Sequence, residues 1–187
     1  MGRSSGLRGN LLISDDYRRL LIEKHAQPKT SFGTSGGRLA VAVDVLMMRL
    51  DYRTILDYGC GQGCLKTTLE NGRAFALPYE VREYDPAIAG KDHMPEPADL
   101  VVCSDVLEHI EPECLDNVLD HIAILAQHHA LLWIATCPAQ KHLPDGRNAH
   151  LIIRPVWWWL PKLADRWHIE NFQGEQNCVA ARVATKR

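Results

Sequence analysis

Three glycines alternate with other residues in DYGCGQGC, at Gly59, Gly61 and Gly63. The segment follows the apolar run TILDY at 54–58 and precedes Leu65 and Leu69, which are spaced as on a helix. A strand, a glycine turn and a helix in that order bring bare backbone N–H groups to a helix N-terminus, where no side chain blocks a ligand. The same pattern would serve a merely tight turn, so what surrounds it decides. One such turn fits once into a chain of 187 residues, which is long enough for a single α/β domain.

The rest of the chain alternates helices and strands. Ser14 is a candidate N-cap, with Asp15 and Asp16 in a first turn where the helix dipole favours acids, and Pro28 stops that helix. A polar, flexible loop is expected over 29–37, followed by an amphipathic helix through Leu39, Val43, Leu46 and Leu50. After the glycine turn, Asn71-Gly72 can end the next helix. Spans 79–84, 100–103 and 131–136 read as strands, and Leu115, Val118, Leu119, Ile122 and Leu125 form a helical stripe after Pro112. Spans 169–172 and 179–183 read as two antiparallel edge strands. The expected fold is α/β: a doubly wound, Rossmann-like, mostly parallel sheet closed by a C-terminal antiparallel hairpin. Residues 1–36 are expected to form an N-terminal helix and a substrate-side loop, and 37–187 the main domain.

Two phosphate-binding patterns compete for the glycine turn. A dinucleotide fingerprint would need a third glycine at position 64, which is Cys64. A P-loop would need Gly-Lys-Ser or Gly-Lys-Thr, and neither follows. By contrast, ILDYGCGQG resembles motif I of the class I S-adenosylmethionine-dependent methyltransferases, YEVREYDPAI resembles their second-strand motif, and PADLVVCSDVLEHIEPECL resembles their fourth-strand motif. Independently, Glu83 lies 20 residues past Gly63, where an acid ending a second strand faces a ribose.

The resemblance implies that S-adenosylmethionine binds through Asp57, Gly59, Gly61, Gly63, Glu83, Tyr84, Ser104 and Asp105, leaving S-adenosylhomocysteine as product. It implies sheet order 2-1-4-5-7-6 in the family's numbering. The family's third strand is expected to be missing, because 85–98 is only 14 residues with three prolines, while each parallel crossover needs about a dozen. The acid that follows that strand and meets adenine has Asp92 as a weak stand-in.

Chemistry is expected just past the strand ends. His150 and His109 are candidate general bases, since an unperturbed imidazole titrates near neutrality. His142 could serve in the same way but reads more readily as a surface or capping residue. Arg147 and Trp158 are expected on the substrate side, with the remaining members of the run Trp157, Trp158 and Trp159 packing on the sheet. Asp105, Glu108, His109 and a distant His150 also resemble the metal ligands of magnesium-dependent small-RNA 2′-O-methyltransferases, although hard Mg²⁺ prefers oxygen to imidazole. The resemblance thus implies O-methylation of a small or glycan-like acceptor. A magnesium-dependent RNA 2′-O-methyltransferase and a non-catalytic cofactor-binding scaffold stand as alternatives.

Charge narrows the partners. The net charge is −2, which argues against a long nucleic-acid groove, but it divides as +4 over 1–53, −10 over 54–120 and +4 over 121–187. An anionic acceptor is therefore expected opposite an acidic cofactor half. Six scattered cysteines without a CxxC pair, and an amino end without a signal peptide, lead to the expectation of a cytoplasmic protein. No membrane partner is expected, because the uncharged span 121–140 is broken by Gln127, His128 and His129. An uncapped sheet edge invites pairing, so a dimer is open.

Overall fold

The computed structural model describes residues 11–26, 33–72, 78–174 and 176–186. In chain order it contains helix α1 (Asp15–Ala26), a 3₁₀ turn (Ser35–Leu39), α2 (Ala40–Leu50), β1 (Thr54–Tyr58), α3 (Cys64–Asn71), β2 (Glu80–Tyr84) and β3 (Ala98–Ser104). A second 3₁₀ turn (Leu107–His109), α4 (Leu115–Leu125), β4 (Ala126–Ala135), α5 (Val156–Ala164), β5 (Trp167–Gly174) and β6 (Cys178–Thr185) complete it. The six strands form one sheet in the order β2-β1-β3-β4-β6-β5. The first four are parallel, and β6 runs antiparallel between β4 and β5.

This is the expected architecture without a third strand, and β2 therefore forms one edge of the sheet. The C-terminal hairpin differs from expectation in one respect. Only β5 is an edge strand, because β6 inserts beside β4 over seven paired positions from His129 to Ala135. Strand β4 is also longer than the apolar span 131–136 suggests and follows α4 without a loop. His128 and His129 sit in the strand because partners await them: His128 Nε2 lies 3.6 Å from Asp99, and His129 bridges the Tyr52 hydroxyl (2.7 Å) and Glu170 (3.2 Å).

Both sheet faces are covered. Leu119, Ile122, Leu132, Trp159 and Trp167 belong to the core under α4 and α5, while Val43, Met47, Ile55, Leu65 and Leu100 form the core under α2 and α3. Each such fully buried aliphatic side chain contributes about 1.5–3 kcal/mol through removal from water. On α2 the buried set is Ala40, Val43, Leu46 and Met47, whereas Leu50 is exposed because the helix ends there on the left-handed Asp51. Gly72 does end α3, but with a right-handed φ of −76°.

The start of the chain is tied across the sheet's carboxyl end. Ser14 caps α1 by accepting the Tyr17 N–H (3.1 Å), and its own N–H and hydroxyl donate to Glu111 at 2.8 and 2.7 Å. The Tyr17 hydroxyl donates to the His109 carbonyl (2.7 Å), so α1 lies over the second 3₁₀ turn. Of the loop expected at 29–37, positions 29–32 lie outside the described residues, and 35–39 form a 3₁₀ turn instead of irregular coil.

Candidate functional site

A cavity of about 920 Å³ opens at the carboxyl ends of β1, β3 and β4, lined on its other side by α1 and the 33–38 segment. This is the position where open α/β sheets bind ligands, and the volume suits a drug-sized molecule. The glycine turn forms one end. Gly61 (φ 52°) lies backbone to backbone with Gly33, so a Cβ there would sit 2.6 Å from the Gly33 Cα. A Cβ on Gly63 (φ 75°) would overlap the Glu83 carboxylate. Asp85 fixes the turn by accepting the Gly61 N–H at 3.0 Å and the Ala87 N–H at 2.9 Å.

Of the residues named for the cofactor, Asp57, Gly59, Gly61, Tyr84, Ser104 and Asp105 line this cavity, and Gly63 is not among its lining residues. Asp57 and Ser104 are buried, and Asp57 Oδ2 and Ser104 Oγ have no hydrogen-bond partner. Burial, reinforced by the nearby Glu83 carboxylate, pushes the Asp57 carboxyl up to about 7. Tyr84 forms an aromatic floor with Tyr58 (ring centroids 5.1 Å apart) and His121 (6.1 Å).

Glu83 is placed differently from expectation. It is not among the cavity-lining residues, and its carboxylate accepts from Lys91 Nζ at 3.0 Å. Asp85, the first residue past β2, lines the cavity in its stead. The sequence signal for it was the Asp-Pro pair that closes the strand. Asp92 accepts from the Gly90 N–H (3.2 Å) and is absent from the cavity wall.

The far end holds the histidines. His109 and His150 both line the cavity, with ring centroids 4.7 Å apart. His109 Nδ1 lies 2.7 Å from the Ala149 carbonyl and His150 Nδ1 lies 2.6 Å from the Cys137 carbonyl. A carbonyl only accepts, so each Nδ1 carries a proton, and in the neutral form of such a ring the lone pair is on Nε2. Burial and the neighbouring His150 lower His109 to about 4, which keeps it neutral.

Glu108 lies beneath the pair, fully buried, with Oε1 accepting the Ala135 N–H (2.7 Å). Burial and the Asp105 carboxylate raise it to about 8. Ligand atoms of Glu108, His109 and His150 lie within 4.8 Å of one another. Asp105 does not join them. It adopts a left-handed backbone (φ 54°) and pairs with Arg38 (2.9 Å), which in turn lies over the Trp133 ring.

Two expected substrate-side residues are not in the cavity wall itself. Arg147 pairs with Asp145 (2.7 Å) within its own turn and lies over the ring of the cavity-lining Tyr17 at 6.0 Å, and Trp158 sits edge-on against Trp159 on α5. Neither is in the cavity wall, which instead includes Arg38, Trp133, Gln140 and Lys141. These four were not legible as site residues, since no motif marks them. His142 pairs with Asn148 at the base of the same turn.

No family model and no curated protein matches the sequence. Solved structures do share its fold. A 1,6-didemethyltoxoflavin-N1-methyltransferase from Burkholderia thailandensis, solved with 1,6-didemethyltoxoflavin and S-adenosylhomocysteine bound, aligns with a TM-score of 0.63 and 14% identity over 95% of this chain and 92% of that one. Magnesium protoporphyrin IX methyltransferase from Synechocystis, with bound S-adenosylhomocysteine, gives 0.56 and 15% over 92% and 94%. An N-methyltransferase from Bradyrhizobium japonicum, also with S-adenosylhomocysteine, gives 0.54 and 14% over 93% and 100%. The likeness is one of fold.

Proposed function

We propose that the chain is an S-adenosylmethionine-dependent methyltransferase acting on the oxygen of a small or glycan-like, anionic acceptor. The observation that supports this is that Asp57, Gly59, Gly61, Tyr84, Ser104 and Asp105, from all three motifs that resemble that family, line one cavity, with Asp57 Oδ2 and Ser104 Oγ buried and partnerless in its wall. Polar atoms left unsatisfied at a ligand site await a ligand's donors. In this reading Asp57 and Ser104 receive the methionyl ammonium, Tyr84 and Tyr58 floor the adenine, and Asp85 takes the ribose role that the sequence suggested for Glu83.

The cofactor supplies a methyl group on a sulfonium, and the transfer forms a carbon–oxygen bond as the carbon–sulfur bond breaks. The protein's tasks are alignment and proton removal. His150, its Nδ1 engaged by the Cys137 carbonyl, aims Nε2 as the base that takes the acceptor's hydroxyl proton. Lys141, and Arg38 through its pair with Asp105, bring positive charge to the cavity wall. Isothermal titration of the purified chain with S-adenosylhomocysteine tests the proposal. One-to-one binding is expected, and its absence would remove the reading.

A second reading has one observation in its favour. The compact group of Glu108, His109 and His150 has the donors of a divalent metal site, and both imidazoles are oriented by carbonyls as metal-bound histidines usually are. Two nitrogens to one carboxylate suit a borderline ion such as Zn²⁺ or Mn²⁺ better than the Mg²⁺ of the RNA-modifying enzymes. Such an ion would polarise the acceptor oxygen. Treatment with a chelator, followed by metal analysis and methyl transfer from labelled S-adenosylmethionine, separates the readings. The first predicts unchanged turnover, and the second predicts loss restored by one divalent ion.

A further inference from the structure

Between Asp145 and Asp165 the chain carries Arg147, Arg154 and Lys162 and no acid, and it holds three consecutive tryptophans. Helix α5 divides them by its own geometry. Trp159 and Leu163, four residues apart, are fully buried in the core under the sheet. Trp157 and Leu160, three apart, point the other way, 72% and 39% exposed, and Ile153 in the approach to the helix is 42% exposed. A helix that is apolar on both sides is ordinarily covered on both sides. Among the described residues this face is uncovered.

Trp158 lies between the two faces. Arg154 stands over its ring at 5.7 Å and Lys162 at 5.0 Å. Lys162 also reaches Asp116 (3.3 Å), whereas no carboxylate pairs with Arg154 among the described residues. Both cations therefore lie along an indole at the border of the apolar face, the arrangement of side chains that bury a stem and keep a charged head at a water boundary.

We propose that this face of α5 seats on an anionic lipid surface, with Trp157, Leu160 and Ile153 entering the headgroup boundary and Arg154 and Lys162 meeting lipid phosphates. Three features favour a lipid surface over a protein groove. The apolar side chains project from a convex helix and its approach, so a fluid boundary receives them without a matching cavity. Tryptophan with flanking cations is the side-chain set of interfacial helices. Arg154 and Lys162 border the face and the stretch 146–164 contains no acid, which complements an anionic layer. No helix among the described residues is long and apolar enough to cross a membrane, so the contact is peripheral. Ile153 follows His150 by three residues, so seating brings the segment leaving the cavity close to the lipid.

Co-sedimentation of the full chain with phosphatidylcholine vesicles, with and without phosphatidylglycerol, tests this. Binding is expected to the anionic vesicles and to weaken with salt. The double substitution Trp157→Ser and Leu160→Ser is expected to lower partitioning by about tenfold or more, while Arg154→Glu lowers it for anionic vesicles only. Trp157 is mostly exposed, so an unchanged melting temperature serves as the folding control. Failure of the wild type to sediment, or serine variants that sediment like it, would overturn the proposal. A wild-type dimer that the serine variants convert to monomer would overturn it as well, by assigning the face to a second copy.

Discussion

Substituting Asp57 by asparagine is expected to weaken S-adenosylhomocysteine binding by about 2–5 kcal/mol, roughly 30-fold to several thousand-fold, the range for truncating one partner of a buried charge pair. The carboxylate is buried at the end of β1, its Oδ2 has no partner, and it lies in the wall of the cavity. Its pH signature is specific. Burial raises the folded-state value from 3.8 to about 7, so at lower pH the group is a neutral acid and a poor partner for an ammonium. Wild-type affinity should therefore fall as pH drops through 7, and the asparagine variant should lack that limb. Stability moves oppositely. The raised value favours the protonated folded protein, so ligand-free stability is fullest below the unfolded value near 4 and is lost as pH rises through about 7. At pH 8 the ligand-free asparagine variant should melt above the wild type, yet gain little from ligand. Calorimetry and thermal melts across pH check both halves, and an unchanged affinity would remove Asp57 from the site.

The fold was legible because its cues are local. TILDY is all of β1, the stripe from Leu115 to Leu125 is all of α4, and the short, proline-rich 85–98 span excluded a third strand. What failed to show in the sequence depended on contacts across the chain. Polar His128 and His129 enter β4 because Asp99, Tyr52 and Glu170 receive them from other elements. Glu83 and Asp85 share one side of an extended chain, whose side chains alternate with period two, so a count from the glycines does not separate them. The turn after β2 does so, because it closes with the Asp85 N–H on the Lys91 carbonyl (2.9 Å) and returns the Lys91 amine to Glu83. Arg147 sat in a loop of the right kind, but Asp145 two residues earlier holds its guanidinium. A run of three tryptophans carries no period at all, and only the docking of α5 decides which ring is buried.

His150→Ala is expected to lower kcat by about 100- to 10,000-fold, the range for losing a positioned general base, while leaving S-adenosylhomocysteine affinity within about threefold of wild type. The split follows from position. His150 is held by the Cys137 carbonyl just past β4, whereas Asp57 and the glycine turn belong to β1, with β3 between the two strands. His150→Gln provides the control, because its amide can donate to the Cys137 carbonyl yet offers no basic nitrogen. If His150 is the base, glutamine is as slow as alanine. If the imidazole only props up the 139–150 turn, which Asn148 also ties to Ala139 at 3.0 and 2.8 Å, glutamine restores most of the rate. His109→Gln should cost less, because a ring held neutral down to about pH 4 is a weak proton acceptor. Its chief effect should be on orientation of the partner ring 4.7 Å away. Transfer of labelled methyl from S-adenosylmethionine into a mixed metabolite pool, read by mass spectrometry for wild type and the three variants, measures all of these. A His150→Ala enzyme with wild-type turnover would show that the acceptor reaches the methyl group already deprotonated, and alignment alone would then account for the rate.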